Sequence, residues 1–277
     1  LAGWSVEDST TALMPVLKLS AATGADLATT SDLVTDSMAN LGLGIGDLNH
    51  YLDVSATANN KSNQTAMQLQ EAYLGVGGVL KNLNSPIEES AAVLGVLANR
   101  GTKGSEAGTA LNAILVNMQK QSGDAYKAMS KLGVSMYDSS GKARSIIDVF
   151  QEISDKTAGM TEENRNLMYQ MIGGKSHLDS FAKIMQGFTT DTADGQKEVY
   201  SLVNAFKDCD GALDKLYGIK TDTLEGSLAT LNSAYDDMKI SIGESIAPIL
   251  KNSVENLTAK IPDIQNIIIN SLEDRKS

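Results

Sequence analysis

The chain has 277 residues, 42% of them hydrophobic but only 5% aromatic, so it can bury a sizeable core built mainly from aliphatic side chains. Its net charge is −11, and residues 1–60 contain Lys18 as their only base against seven acids, which argues against duplex binding by this segment. Cys209 is the only cysteine, which excludes an internal disulfide, and apolar runs reach about eight residues where a membrane span needs about 20. Because the chain begins at Leu1 without a signal peptide, we expect an excised fragment of a longer protein.

Apolar residues recur at helical spacing along most of the chain, and only four prolines interrupt it. The clearest start signal is Ser85-Pro86-Ile87-Glu88, where we expect Ser85 to cap a helix that Pro86 opens and Gly101 ends. These patterns predict an all-α fold with a multi-helix globular body over residues 1–218. The other helices of this body are predicted at Asp8–Ala22, Asp26–Leu41, Gly46–Lys61, Thr65–Leu83, Gly104–Gln121, Asp124–Leu132, Ser145–Ala158, Thr161–Ile172, Ser176–Gln186 and Gly195–Lys207.

One stretch departs from helical spacing. Val134-Ser135-Met136-Tyr137 alternates apolar and polar residues, and Asp138-Ser139-Ser140-Gly141 follows it with turn-forming residues. The sequence therefore predicts at most one short hairpin in the body, near Val134–Arg144. Because two strands alone are only marginally stable, we expect the surrounding helices to support it.

The last part of the chain, residues 219–277, carries a different pattern. Six apolar residues step by 4, 3, 4, 3 and 4 positions, the spacing of a coiled-coil seam: Leu224, Leu228, Leu231, Tyr235, Met238 and Ile242. An apolar stripe continues to Leu272, and Pro248 and Pro262 should kink or break it. We therefore predict a second domain, a long amphipathic helical segment with breaks near these prolines. Its seam either packs on the preceding body or joins copies of the chain.

The sequence Gly173-Gly174-Lys175-Ser176 matches the end of the phosphate-binding loop motif. Such a loop needs another glycine five residues before Gly174, where this chain has Tyr169, and it must follow a strand. Thr161 instead opens a helix with acids in its first turn, and Gly173 ends that helix. The pattern predicts a corner between two helices that binds no nucleotide.

The residues that most often carry catalysis or bind metals are scarce. His50 and His177 are the only histidines, and with Cys209 they are too few and too far apart in sequence for a zinc site. No Gly-x-Ser-x-Gly nucleophile elbow lies near His177, which we expect at the surface. We therefore assign no catalytic, cofactor-binding or metal-binding residues and no cofactor, and we predict that the chain is not an enzyme.

The most distinctive stretch runs from Leu97 to Leu111 and reads LANRGTKGSEAGTAL. Gly101 fits a helix C-terminus, and Gly104 and Gly108 lie four residues apart on one face of the following helix. A glycine face lets another backbone approach closely. We therefore predict a tight helix–helix corner in which Gly104 and Gly108 lie against another backbone.

The same stretch resembles the central motif in the core region of phage tail tape measure proteins, within the minor tail protein family. The family pattern, Leu-Ala-Asn-x-Gly-x-x-Gly-Ser-x-Ala-Gly-Thr-Ala-Leu, is met at every specified position between Leu97 and Leu111. The resemblance covers most of the chain, from about Pro15 to Leu257. Neighbouring stretches are similar to family elements in the same order: Ala21–Leu43, Leu132–Arg144, Met171–Phe181 and Ile242–Leu250.

The resemblance implies a structural protein of a long-tailed phage or prophage that threads through the growing tail tube, sets its length, and leaves before or during DNA ejection. It implies no catalytic residues in this core. The partners that it implies are other copies of the chain, the tail tube protein, tail assembly chaperones and tail tip proteins. It implies neither specific nucleic-acid binding nor a membrane span in this fragment. The implied location is the virion tail, and the cytoplasm of the bacterial host during assembly.

Two other functions stay open from the sequence. A cell-wall-degrading, muramidase-like helical domain carried by a tail protein would need a cleft with a buried Glu of raised pKa opposite a second carboxylate. A membrane-active adhesin or toxin domain would use the Leu224–Leu272 stripe. That stripe lacks Trp and a basic polar face, which argues against this second function.

The two packing modes of the predicted seam differ in a measurable way. Leu228→Asp combined with Met238→Asp places two charges in the seam. If the seam packs on its own body, the wild type should sediment as a monomer at all concentrations, and the variant should lose stability. If the seam joins copies, the wild type should sediment as an oligomer and the double variant as a monomer. A variant that changes neither mass nor stability would show that the seam is not buried.

Overall fold

The structure, a computed structural model, describes residues 4–221, which form twelve α-helices and two single-turn 3-10 helices. No β-strand forms in this range, so the predicted all-α fold is confirmed. The 3-10 helices span Ile45–Asp47 and Lys175–His177. The α-helices in chain order are α1 (Val6–Thr23), α2 (Leu27–Leu41), α3 (Leu48–Lys61), α4 (Ala66–Asn82), α5 (Ile87–Asn99), α6 (Gly104–Met118), α7 (Gly123–Leu132), α8 (Ile146–Thr157), α9 (Glu162–Gly173), α10 (Leu178–Gly187), α11 (Glu198–Lys207) and α12 (Ala212–Thr221).

The predicted C-terminal domain falls largely outside this range. The seam from Leu224 to Ile242 and the predicted breaks at Pro248 and Pro262 lie outside the described residues. The predicted boundary after residue 218 falls within α12, a helix that the sequence analysis did not identify. The division into domains 1–218 and 219–277 therefore stays a prediction.

A residue beside the helix in the sequence explains the start of five of the twelve described α-helices. Five helices begin after a residue whose own side chain accepts a backbone N–H of the first turn: Ser5, Asp26, Thr65, Ser145 and Thr161. This contact satisfies N–H groups that have no partner inside the helix. The start of α5 differs from its prediction, because Ser85 does not cap it. The Ser85 backbone N–H donates instead to Leu80 O in the turn that ends α4, and α5 begins after Pro86.

Two turns in the second half of the body, which begins with α7, are each closed by a single antiparallel bridge pair. Tyr137 pairs with Ala143 in the segment where the sequence predicts a hairpin. A second turn, which was not predicted, pairs Asp191 with Lys197. It lies where the sequence predicts a helix from Gly195. That helix, α11, begins only at Glu198 because Gly195 has a φ of +79° inside the turn.

These two turns are structurally equivalent. Their bridge pairs are related by a constant offset of 54 residues along the chain. Their backbone hydrogen bonds follow the same offset, as in Asp138 N to Lys142 O at 2.9 Å and Thr192 N to Gln196 O at 2.8 Å. The first turn lies between α7 and α8, and the second between α10 and α11. The body thus contains the same helix–turn–helix unit twice, a repeat that is not visible as a clear repeat in the sequence.

Helix α5 lies in the middle of the core. The sequence assigns it one apolar face, yet every residue from Ser90 to Ala98 is buried, so neighbours surround the helix on all sides. It contacts helices from both halves of the body, including α3, α10 and α11. None of the described helices is long and apolar enough to cross a bilayer.

Helices α4 and α6 approach each other at backbone distance. A Cβ atom on Gly108 would lie 2.1 Å from the carbonyl oxygen of Ala72, so only glycine fits there. A Cβ on Gly75 of α4 would lie 3.2 Å from the Gly108 backbone. The predicted backbone contact is therefore confirmed for Gly108. It is wrong for Gly104, because a Cβ there would meet the Glu71 carboxylate, and the glycine is needed for its φ of +55°.

The substitution Gly108→Leu should force α4 and α6 apart and lower the free energy of unfolding by about 1–3 kcal/mol through overpacking. Urea denaturation of the wild type and the variant measures this difference. Gly159→Leu is the matched control, because a Cβ at Gly159 meets nothing within 4 Å. Equal stability of the Gly108 variant and the control would show that α4 can move away from α6 without cost.

Candidate functional site

Asn99 and Arg100, at the C-terminal end of α5, connect this helix to three other parts of the chain. Asn99 Oδ1 accepts from the Asn63 backbone N–H at 2.8 Å, and its Nδ2 donates to Glu198 Oε1 at 2.7 Å. Arg100 Nη2 donates to Glu198 Oε2 at 2.6 Å, and its Nε donates to Gln186 Oε1 at 2.9 Å. The side chains of Asn99 and Arg100 in the central motif therefore bind the loop before α4, the end of α10 and the start of α11.

The ion pair between Arg100 and Glu198 is largely withdrawn from water, with 16% and 12% of the two side chains exposed. Such a pair is favourable only when further hydrogen bonds satisfy the remaining polar atoms, and Asn99 and Gln186 supply them. Glu198 is also the first residue of α11, where a negative charge interacts favourably with the helix dipole. These contacts fasten the start of α11 to the end of α5.

The rest of the motif contacts both α10 and α4. Thr102 is buried, and its hydroxyl accepts a hydrogen bond from Lys183 Nζ of α10 at 3.0 Å. Two residues later α6 begins, and its Gly108 packs against Ala72 of α4. The polar part of the motif thus contacts α10 and α11, and its glycine part contacts α4. The motif is the joint between the two halves of the body.

An open cleft of about 440 Å³ lies beside the Arg100–Glu198 pair. Lys61, Thr192 and Ser201 contribute polar side chains to it. The two buried charges neutralise each other, and neither a histidine nor a cysteine is among the residues that line the cleft. The cleft therefore offers polar contacts, and its one carboxyl group, that of Glu198, is already paired with Arg100.

The muramidase-like alternative requires a carboxyl group of raised pKa. Three described carboxyl groups have a clearly displaced pKa, those of Asp26, Asp138 and Asp194, and all three lie at the surface. In each the pKa is lowered, first by a side-chain hydrogen bond from a nearby hydroxyl group, which favours the ionised form. None of the three fits the general acid that a cell-wall-cleaving site needs, and this alternative finds no support.

The fold brings together three residues that are distant in sequence. Cys209 Sγ lies 3.9 Å from His50 Nδ1, and His50 Nε2 lies 2.9 Å from Glu88 Oε1. This is the order of nucleophile, base and carboxylate in some hydrolytic enzymes. Burial, followed by the charges of Asp53, Asp210 and Glu88, raises the pKa of the Cys209 thiol to about 11. This raised pKa favours the protonated thiol at neutral pH, which is not the reactive form of a cysteine nucleophile.

The remaining residues that the sequence singled out take the expected structural positions. Helix α9 ends at Gly173, and Gly174 turns the chain with a φ of +83°, so the predicted helix–glycine–helix corner is confirmed. His177 lies in the 3-10 turn that follows and is partly exposed. Within residues 4–221, no group of three or more His, Cys, Asp or Glu side chains is placed to hold a metal ion.

Removing one charge of the buried pair should be costly. Arg100→Met leaves Glu198 buried without its partner and should lower the free energy of unfolding by about 3 kcal/mol. Adding Glu198→Met should restore part of this loss, because no uncompensated charge remains. Lys127→Met, which removes an exposed pair with Asp124, is the control and should leave stability nearly unchanged. Chemical denaturation measures the loss of stability in the two single variants and in the double variant. If the loss in the double variant equals the sum of the two single losses, the charges are not coupled.

Comparison with known proteins places this sequence in a family. A family model described as "Phage-related minor tail protein" matches residues 1–174, a range that includes the whole central motif. The "Tape measure protein" of Pneumococcus phage Dp-1 is 28% identical over 184 residues, which are 66% of this chain but 16% of that relative. The match therefore spans a small part of the length of that relative. No solved structure matches the chain significantly. Because the family model covers more than half of the sequence, the chain belongs to the phage-related minor tail protein family, and its role is that of a structural component of a phage tail.

Proposed function

We propose that the chain is a folded helical module of the tape measure protein of a long-tailed phage or prophage. In this proposal the full protein sets tail length and takes part in tail assembly and DNA ejection. The observation that carries the proposal is the central motif Leu97–Leu111, which resembles the core of that family in sequence and joins the two halves of the body in space. The relative in Pneumococcus phage Dp-1 supports the same assignment by its name.

The described body is not itself extended enough to act as a ruler. Its longest helix, α1, has 18 residues and is therefore about 27 Å long at 1.5 Å per residue. The helices also fold back on one another, as α4 does between α2 and α6. We propose that extended helical parts of the full protein measure the tail, and that the body is a compact unit carried by that ruler.

The proposed role requires protein partners and no chemistry. We propose other copies of the chain, the tail tube protein, tail assembly chaperones and tail tip proteins as partners, with assembly in the cytoplasm of the bacterial host. We also propose that the chain has no enzymatic activity. The raised pKa of the Cys209 thiol and the mutually neutralised Arg100–Glu198 pair support this view.

Tail length in assembled particles tests the proposal. A phage whose gene carries an insertion of eight heptads within the predicted Leu224–Ile242 seam should form tails longer by about 84 Å, because each helical residue adds about 1.5 Å. The Gly108→Leu change should instead reduce the number of tailed particles without altering the length of those that form, since it disturbs only the body. Electron microscopy of purified particles measures both quantities. Tails of unchanged length after the insertion would contradict the ruler function of this protein.

A further inference from the structure

Helix α12 begins without a capping side chain of its own. The residue before it is Gly211, which has a φ of +73° and no side chain to accept a hydrogen bond. Asp53 of α3 supplies both missing acceptors. Its Oδ2 accepts from the Gly211 backbone N–H at 3.0 Å, and its Oδ1 accepts from the Leu213 backbone N–H at 2.9 Å. One carboxylate from the first half of the chain therefore caps the last described helix.

This arrangement differs from that of the other capped helices. At Ser5, Asp26, Thr65, Ser145 and Thr161, the capping side chain lies three residues from the N–H that it accepts, so the cap forms wherever the helix forms. Asp53 lies 158 residues from Gly211, so its cap exists only while α12 rests on α3. The carboxylate also places a full negative charge at the positive end of the α12 dipole.

Helix α12 packs on α1 and α3, and Ala212 and Tyr217 contribute partly buried side chains to this contact. It places Leu213 and Leu216 in the core, whereas Ile219 is 73% exposed. A second polar contact, between Lys18 of α1 and Asp214 at 2.6 Å, involves an aspartate that is two-thirds exposed and therefore contributes little. A helix of 10 residues is too short to be stable in water by itself. The two hydrogen bonds of Asp53 add to this packing at the end where the helix begins.

We propose that Asp53 acts as a latch for the C-terminal end of the body. While its carboxylate binds the start of α12, the helix stays on α1 and α3. When these two hydrogen bonds are lost, residues 209–221 separate while the other helices stay folded. The rest of the body tolerates this loss because α3 is held independently by the buried residues Tyr51, Leu52 and Val54.

The latch lets α12 lie on the body or separate from it without refolding the core. In a tail this would let α12 separate from the body between assembly and DNA ejection, a use that rests on the proposed function. The latch itself does not rest on it. The test below uses the purified chain, so failure of the latch and failure of the tape measure function are distinguishable.

Hydrogen exchange measured by mass spectrometry on the whole chain tests the latch. Asp53→Ala removes both acceptors, and backbone exchange over residues 209–221 should accelerate about tenfold or more, while exchange in α4, α5 and α6 stays unchanged. Asp53→Asn keeps the size of the side chain and one acceptor oxygen, so its effect should be smaller and in the same place. Trypsin should likewise cleave after Lys215 faster in both variants, because cleavage there requires local unfolding of α12.

Two control variants separate the latch from general effects. Asp26→Ala removes a local cap and should accelerate exchange only in the first turn of α2. Asp214→Asn removes the exposed pair with Lys18 and should change exchange in α12 little. Unchanged exchange over residues 209–221 in Asp53→Ala would overturn the proposal. Equal acceleration in α4 and α5, or global unfolding of both Asp53 variants, would overturn it too, since Asp53 would then support the whole body.

Discussion

The close approach of α4 and α6 is the contact on which the rest of the body depends. The carbonyl oxygen of Ala72 occupies the space in which any side chain at position 108 would begin. On its other side, α4 packs against α2, where Asn40 Nδ2 donates to the backbone oxygens of Tyr73 and Leu74 at 2.8 and 2.9 Å. A Cβ atom on Gly77 would lie 2.9 Å from that amide nitrogen. Glycines on two faces of α4 thus allow three helices to pack at distances that larger side chains would prevent.

This packing determines where the polar half of the central motif lies. Because α5 leads through a short corner into α6, the depth at which α6 sits on α4 also positions the end of α5. Asn99 and Arg100 then meet Glu198, which is the first residue of α11. A buried ion pair adds little net stability but has strict geometry, so it favours one arrangement of the two halves. For a structural component of a phage tail, one defined arrangement matters more than a reactive group.

The second half of the body repeats one unit, with α7 and α8 around the first bridged turn and α10 and α11 around the second. Aromatic side chains join these units in one cluster: Phe150 contacts Phe181 and Phe188, with ring centroids 6.2 and 6.1 Å apart. The end of the second unit leads through Cys209 into α12. There the carboxylate of Asp53 caps the helix, in addition to the packing of Leu213 and Leu216 on the core. The described part of the chain therefore ends in an element that is held differently from the elements before it.

The sequence by itself determined the features that depend on near neighbours along the chain. The cap at Thr161, the glycine corner at Gly173 and the first turn at Tyr137 were predicted because the interacting groups lie within a few residues of one another. The same local logic misplaced the start of α5. Ser85 has the right chemistry for a cap, but it belongs to the turn that ends α4, and Pro86 takes the cap position of α5.

Only the tertiary structure decided which distant groups meet. Arg100 and Glu198 are separated by 98 residues, Cys209 and His50 by 159, and Asp53 and Leu213 by 160. Spacing could not reveal these pairs, because many acids and bases could form a pair and the choice depends on how deeply the helices pack. The sequence did contain the cause of that depth, in the glycines of α4 and α6. It could not show that the partner of Gly108 is the backbone of Ala72, because a glycine indicates that something approaches closely and does not identify it.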